Sequence, residues 1–323
     1  MDPAIGHSTI VSVGLSATGW VVVGALGVAA IARLVARDRG RYVFAIDAYT
    51  FWLYLPAYVV AAAALIERRD ALGFAAGLVV GCHVVWVAPS FRRAARIPPA
   101  ARTAPRFVLV SSNLRHNNLT PDALARELRA FDADVLSLQE VTPAWIEQFR
   151  AHGLFDRFTH RVLAPMDGLG GTGILSRYPI ESSAILEVVG SRLATATIAI
   201  AGRSVHFVAV HPLAPVTFAL WDAQRSEITS FAEHAPRPLV LAGDFNATVY
   251  NRWLGELEGL GFASAHVLLG RGLATTWPNG VRRLPPIRLD HVFVSPTVVP
   301  LAIREGRGPG SDHRPVVATL ALL

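Results

Sequence analysis

The sequence predicts an α+β protein: a two-sheet sandwich flanked by helices, standing behind a membrane anchor of three transmembrane helices. Three observations lead there. Residues 1 to 106 hold long apolar stretches. Residues 107 to 323 alternate strand-like apolar runs with helical patterns, and those apolar runs end repeatedly in a carboxylate, an amide or a histidine. With 52% hydrophobic residues, 17% charged and a mean hydropathy of +0.39 over 323 residues, the chain is too apolar for an ordinary soluble protein of its length. The organisation read from this is an anchor over 1–95, a linker rich in Pro and Arg over 96–106, and one globular domain over 107–323.

The anchor divides into spans at Thr9 to Val35, Phe44 to Ile66 and Ala71 to Ala88, the last close to the shortest that crosses a hydrocarbon core of about 30 Å. The length of the first span, its lack of a basic start and the two spans behind it favour a retained anchor over a signal peptide. Tyr42, Tyr49, Trp52, Tyr54 and Trp86 include several aromatic residues near the span ends, as at membrane interfaces. Asp47 lies close enough to one end to reach the interface, while Pro56 and His83 fall deeper, where helix-to-helix hydrogen bonding is the expected role of the histidine. Arg33, Arg37, Arg39 and Arg41 flank the first loop, and Arg92, Arg93, Arg96 and Arg102 follow the third span. With three spans both clusters share one side, which the positive-inside rule makes cytoplasmic. The lone cysteine, Cys82, excludes an intramolecular disulfide.

Charge follows the same division. Residues 1 to 106 carry 11 Arg against 5 acids, and the remaining 19 Arg face 19 acids, so the +6 net charge lies wholly in the membrane part. The isoelectric point near 10.2 therefore does not make the domain a general nucleic-acid binder, since a neutral domain lacks the attraction that nonspecific binding uses.

Within the domain, Phe107 to Asn113 reads as a buried strand ending in an amide, followed by a helix from about Pro121 to Phe131 capped by Thr120. Asp134 to Glu140 repeats the scheme with a carboxylate. Gly170 to Pro179 is a glycine-rich approach to a strand that Arg177 closes with a side chain suited to phosphate. Val205 to Pro212 places His211 at an edge and leaves His206 structural. A helix from about Val216 to Glu233 leads to the strand that stops in Gly243-Asp244-Phe245-Asn246; Arg288 to Ser295 carries Asp290, and Asp312-His313 follows a loop. A carboxylate and an amide held rigidly at a sheet edge suit a bound metal and a phosphoryl oxygen, and an Asp-His pair supplies an oriented base. These edges together suit a metal-assisted phosphoesterase.

The set Asn113, Gln139-Glu140, Gly173 to Pro179, His211, Gly243-Asp244-Phe245-Asn246, Arg288-Leu289-Asp290 and Ser311-Asp312-His313 resembles the endonuclease/exonuclease/phosphatase superfamily over about residues 106 to 323. The anchor and Thr276-Trp277-Pro278 further resemble its membrane-anchored branch of VanJ-type teicoplanin-resistance and YafD-like proteins. The resemblance implies a four-layer αββα (DNase I-like) sandwich and Mg2+-dependent hydrolysis of a phosphoester or phosphoanhydride, with Mn2+ as an alternative ion. It implies Glu140, Asn113 and Asp312 at the metal, and Asn113, Arg177 and Asn246 at the substrate. Asp290 would orient His313 toward water or the scissile phosphate, Asp244 would position the nucleophile, and His211 would assist transition-state charge or the leaving group. One departure stands out: where nuclease members often carry an acid two residues after the first Asn, this chain has Arg115, and Asn117 or Asn118 is the nearby polar replacement.

The function expected is a membrane-bound phosphohydrolase acting on a lipid-linked phosphate or pyrophosphate such as undecaprenyl pyrophosphate, in cell-wall metabolism or glycopeptide resistance. A tether raises local concentration only for a substrate confined to the same surface. The alternatives are a nuclease, a sphingomyelinase-like phosphodiesterase and a non-catalytic membrane scaffold. The partners expected are the lipid-linked substrate and the bilayer, with nucleic acid in second place; the sequence points to no protein partner. On the side of the membrane the resemblance, which implies an extracytoplasmic domain, opposes the arginine clusters, and the expectation follows the resemblance.

Overall fold

A computed structural model of the protein describes residues 3–280 and 284–323, with side chains from Ser16 onward. The chain divides into two units, Met1–Pro89 and Ser90–Leu323.

The first unit is helical: α1 (Pro3–Ala36), α2 (Arg41–Ala48), α3 (Thr50–Leu53), α4 (Leu55–Ile66) and α5 (Asp70–Val87). Two stretches, Ser16–Ala36 and Asp70–Phe91, are long and apolar enough to cross a membrane. The second expected span is not one rod. It is bent by 74° between Arg41–Ala48 and Thr50–Ile66, so the number of spanning elements is two, or three when the bent pair is taken as one. Pro56 stands in the first turn of α4, where its missing N–H and fixed φ suit a helix start, not a helix interior. Asp47 does not reach outward as expected. It is 2% exposed, accepts from Arg33 Nη1 at 2.8 Å and from the Asp38 backbone N–H at 3.1 Å. His83 Nδ1 lies 3.0 Å from Tyr58 OH, a bond between helices.

The second unit contains α6 (Pro99–Thr103), β1 (Arg106–Asn113), α7 (Pro121–Ala130), β2 (Val135–Gln139), α8 (Pro143–Ala151), α9 (Leu154–Arg157), β3 (His160–Ala164) and β4 (Thr172–Ser176). There follow β5 (Ile180–Val188), β6 (Ser191–Ile200), β7 (Arg203–Val210), α10 (Phe218–His234), β8 (Leu239–Asp244), α11 (Arg252–Gly259) and β9 (Ala263–Ser264). The chain ends with α12 (Ala265–Leu268), β10 (Asp290–Val294), β11 (Val298–Glu305) and β12 (Val316–Leu322). The strands form two six-stranded sheets, ordered β11-β12-β1-β2-β4-β3 and β5-β6-β7-β8-β10-β9.

The two-residue period of a strand sorts side chains between layers. Phe107, Leu109, Val135 and Ile174 face the second sheet and meet Ile198, Phe207, Ala242 and Val292. Their neighbours Val110, Leu136, Leu138 and Leu175 face outward onto Leu124 and Leu128 of α7 and Trp145 and Phe149 of α8. On the other sheet, Trp253 of α11 packs on Phe245 at 5.2 Å and on Trp221 of α10 at 5.7 Å between ring centroids. The segment expected as a linker is packed into this unit: Ala101 of α6 is fully buried, Ala95 N–H donates to Leu268 O at 2.7 Å, and Leu322 N–H donates to Pro105 O at 3.0 Å.

Strand direction then places the chemistry. β1 and β2 are parallel, as are β7 and β8, so Asn113, Gln139, Val210 and Asp244 all end at one edge. β10 runs antiparallel to β8 with Asp290 opposite Asp244, and therefore begins where the others stop.

Candidate active site

At this edge the inter-sheet core changes from apolar to polar. Ser137 Oγ donates across the sandwich to Ala242 O at 2.8 Å, and beyond it Asn113 Nδ2 donates to both Glu140 Oε1 and Asp244 Oδ2, each at 3.1 Å. One amide thus ties the carboxylates of the two sheets together. Gly243 allows β8 to approach β7, since a Cβ there would fall 1.9 Å from Val210 O.

Asp244 is 1% exposed and accepts the Asn246 backbone N–H at 2.8 Å, while His313 Nε2 and His211 Nε2 lie 3.5 and 3.8 Å from its Oδ2. His313 Nδ1 donates to Asp290 Oδ2 at 2.8 Å, which directs Nε2 toward Asp244. Asp290 is itself held by its backbone N–H, which donates to Thr276 Oγ1 at 3.1 Å. Ser311 Oγ fastens the His313 loop: it donates to Asn113 O at 2.8 Å and accepts the His313 N–H at 3.1 Å. Asn246 occupies left-handed backbone at φ 48° and gives one carboxamide N–H to Pro212 O at 2.9 Å, beside His211.

These surroundings set the charges. Burial alone would lower His313, but the carboxylates of Asp290 and Asp244 outweigh it and push the imidazole up to about 10. Burial raises Asp244 to about 6, with His313 working against it. Burial would also raise Glu140, yet the charge of His211 and the bonds from His116 hold its carboxyl below the usual range. His313 is therefore an imidazolium between two carboxylates, and Glu140 is a third anion, so the cleft is negative.

Such a cleft fits a divalent cation. The ligand-type atoms of Asp244, Asp290 and His313 lie within 4.8 Å of one another, and with His313 an imidazolium it is the two carboxylates that offer lone pairs, Asp290 Oδ1 being buried without a hydrogen-bond partner. Glu140 and Asn113 add hard oxygen donors beside them, the type that Mg2+ prefers.

The structure thus brings together Asn113, Glu140, His211, Asp244, Asn246, Asp290 and His313. Asp312 sits at the rim with its side chain 38% exposed, accepting from Trp277 Nε1 at 3.3 Å and lying 3.9 Å from Arg115 Nε. Arg177 does not belong to the group. β4 runs antiparallel to β2 with Ser176 opposite Val135, which puts Arg177 at the far edge, where it pairs with Asp134 at 3.2 Å. Asn118 is a turn residue, donating to Leu114 O and Pro309 O, and Asn117 Oδ1 accepts from Arg115 Nε. His206 stays structural, with Nδ1 2.8 Å from Thr197 Oγ1.

One neighbour of the site went unread in the sequence. His116 places its backbone N–H at 2.8 Å and its Nδ1 at 2.7 Å from Glu140 Oε2. Arg115 at φ 58° and Glu140 at φ 57°, both in left-handed backbone, turn the two segments toward each other. A histidine three residues beyond the Asn113 strand end was the available signal.

A comparison with curated protein sequences finds no match, while solved structures match well. D. rerio TDP2 complexed with a single-strand DNA product is similar at a TM-score of 0.57 and 20% identity, covering 67% of this chain and 98% of that one. The endonuclease/exonuclease/phosphatase from Beutenbergia cavernae gives 0.53 and 20%, covering 68% and 72%. The corresponding protein of Bacteroides vulgatus gives 0.53 and 17%, covering 68% and 99%. At these identities the likeness is one of fold. The sequence itself matches the Endonuclease/Exonuclease/phosphatase family over residues 110–313, from β1 to His313. The chain belongs to this family of hydrolases that act on phosphoester bonds.

Proposed function

We propose that the protein is a membrane-anchored, divalent-metal-dependent phosphohydrolase whose substrate is a lipid-linked phosphate or pyrophosphate, of the undecaprenyl pyrophosphate type. The observation that carries the reading is the presence, in one chain, of a phosphoesterase site and of helices apolar enough to cross a membrane. Fixing an enzyme to a bilayer benefits a reaction whose substrate is confined there.

In this mechanism Glu140 and Asn113, with Asp312 near by, would hold the cation, which when bound would supply positive charge to the phosphoryl group. The His313 imidazolium, kept charged by Asp290, donates from Nε2 to a phosphoryl oxygen and stabilises the charge that grows there. Asp244 Oδ2, reached by both histidines, orients the attacking water. The second carboxamide N–H of Asn246 binds a phosphoryl oxygen, and His211 serves the leaving group.

The direct test is phosphate release by the detergent-purified protein from undecaprenyl pyrophosphate and from plasmid DNA, with Mg2+, Mn2+ or EDTA. Release from the lipid alone, abolished by EDTA, supports the reading. DNA cleavage alone makes the protein a nuclease, the second reading, which the DNA product bound to the TDP2 relative favours. A multi-pass anchor with an extracytoplasmic domain, and a part in glycopeptide resistance, belong to the same proposal. A reporter active only in the cytoplasm, fused after Leu323, must then stay silent.

A further inference from the structure

Exposed large hydrophobic side chains are ordinarily scattered over a protein surface. In the second unit they are not. Leu119 is 90% exposed, Val216 79%, Val189 61%, Leu284 45% and Leu169 43%. Each stands on a different connection, and every one of those connections is at the active-site edge. Leu119 follows β1 beyond Asn113, and Leu169 precedes β4 at Thr172, which pairs with Gln139. Val189 caps the β5–β6 hairpin, whose Gly190 approaches Leu213 just past His211. Val216 lies between His211 and α10, and Leu284 lies in the loop leading to Asp290. Among the described residues of this unit, the remaining exposed large hydrophobics are Phe91 and Leu273, and they flank the place where the chain enters it.

That place is at the same edge. Ser90 Oγ lies 3.0 Å from the OH of Tyr250, in the loop that follows Asp244. The leading segment is laid closely along the loop before Thr276: a Cβ on Gly272 would fall 2.2 Å from Ser90 O, and one on Gly270 2.8 Å from Ala94 N. The first residues of the unit, Ser90 to Ala94, therefore lie at the active-site edge, and the chain then runs down the unit to begin β1 at the opposite end.

We propose that the loop tips carrying Leu119, Leu169, Val189, Val216 and Leu284 form an apolar ring that seats the mouth of the active site on a lipid bilayer. A bilayer is the occupant these features fit. Isolated apolar tips from separate loops make no continuous groove for a protein partner, whereas a fluid hydrocarbon boundary accepts them one by one. The residues that open this unit, next in sequence to helices apolar enough to cross a membrane, lie at this same edge. The proposal deepens the lipid-phosphate reading and rests on it for the identity of the substrate, but the seating has its own readout.

The test uses the full chain in phospholipid nanodiscs, in a Cys82→Ser background with a single cysteine at Leu119, Val189 or Glu233, each carrying an environment-sensitive NBD dye. Glu233, exposed in the last turn of α10 at the far edge, is the control. Blue-shifted emission at 119 and 189, but not at 233, is expected; no shift, or the same shift at all three, overturns the seating. In parallel, Leu119→Ser/Val189→Ser/Val216→Ser should lose about tenfold or more in kcat/KM toward undecaprenyl pyrophosphate in nanodiscs. The same variant should keep its rate on water-soluble bis(p-nitrophenyl) phosphate, which also verifies folding; equal losses on both substrates count against the ring. If the dyes shift but wild type leaves the lipid intact, the seating stands and the lipid-phosphate reading falls. Lipid hydrolysis without a shift does the opposite: the seating falls and the lipid-phosphate reading stands.

Discussion

Asp290 and His291 are neighbours on β10 and point to opposite faces of the sheet, into two buried clusters of ionisable groups that differ in charge. On the Asp290 side an imidazolium sits between carboxylates. On the His291 side the imidazoles are neutral: burial, with the charge of Arg288 behind it, lowers His291 well below its usual value and brings His266 to about 4. Arg288 itself, fully buried, is lowered to about 10 and gives its Nη1 to the carbonyls of Arg271, Gly272 and Ala274 at 3.0 to 3.4 Å. That grip fixes the loop before Thr276, whose hydroxyl holds Asp290. One face of β10 thus concentrates charge for a reaction, and the other uses a single cation as a fastener for backbone.

Six substitutions sharpen or break this contrast. Asp244→Ala or His313→Ala should lower kcat by at least about 10³-fold with an unchanged circular-dichroism spectrum, since each removes charge that faces the reacting phosphate. Asp290→Asn should cost about 100-fold. It should also draw the alkaline limb of the pH–rate profile to lower pH, because losing the carboxylate lets the His313 pKa fall back toward 6.5 from about 10. The same shift predicts a linkage in the metal-free wild type. A raised imidazole contributes stability that is complete below pH 6.5 and is lost as the pH rises through about 10, so thermal melts should show a decline that Asp290→Asn flattens.

His116→Ala, removing a donor from Glu140 but no group that faces substrate, should weaken Mg2+ binding about tenfold in calorimetry. Arg288→Met tests the opposite face of β10. Leaving three carbonyls unsatisfied should destabilise by about 2–4 kcal/mol in urea titrations, while kcat of the folded protein changes by less than about tenfold. Arg177→Ala is the smallest. At the far edge, in an exposed pair, it should alter stability by at most about 0.5 kcal/mol and leave KM where it was.

Much of the site was legible because buried strands that end in polar residues announce themselves: Asn113, Glu140, Asp244 and Asp290 each terminate or begin an apolar run. What an isolated sequence lacks is strand direction. Arg177 looked equivalent to Glu140, since both follow apolar runs, but β2 and β4 are antiparallel and their ends lie at opposite edges. The His116 contact depends on two residues with positive φ, Arg115 and Glu140, neither of them a glycine that would have signalled it. In the anchor, hydropathy found the apolar stretch Phe44 to Ile66 but not its bend, although Pro56 marked where a helix would restart.

The close seating of Ser90 on Gly272 has a kinetic consequence. If the mouth of the cleft is seated on a bilayer as proposed, the enzyme would meet substrate as a density per unit area, not as a concentration per unit volume. Its turnover would then follow the mole fraction of substrate in the leaflet: inert lipid would slow it at constant total substrate, and added bulk volume would not.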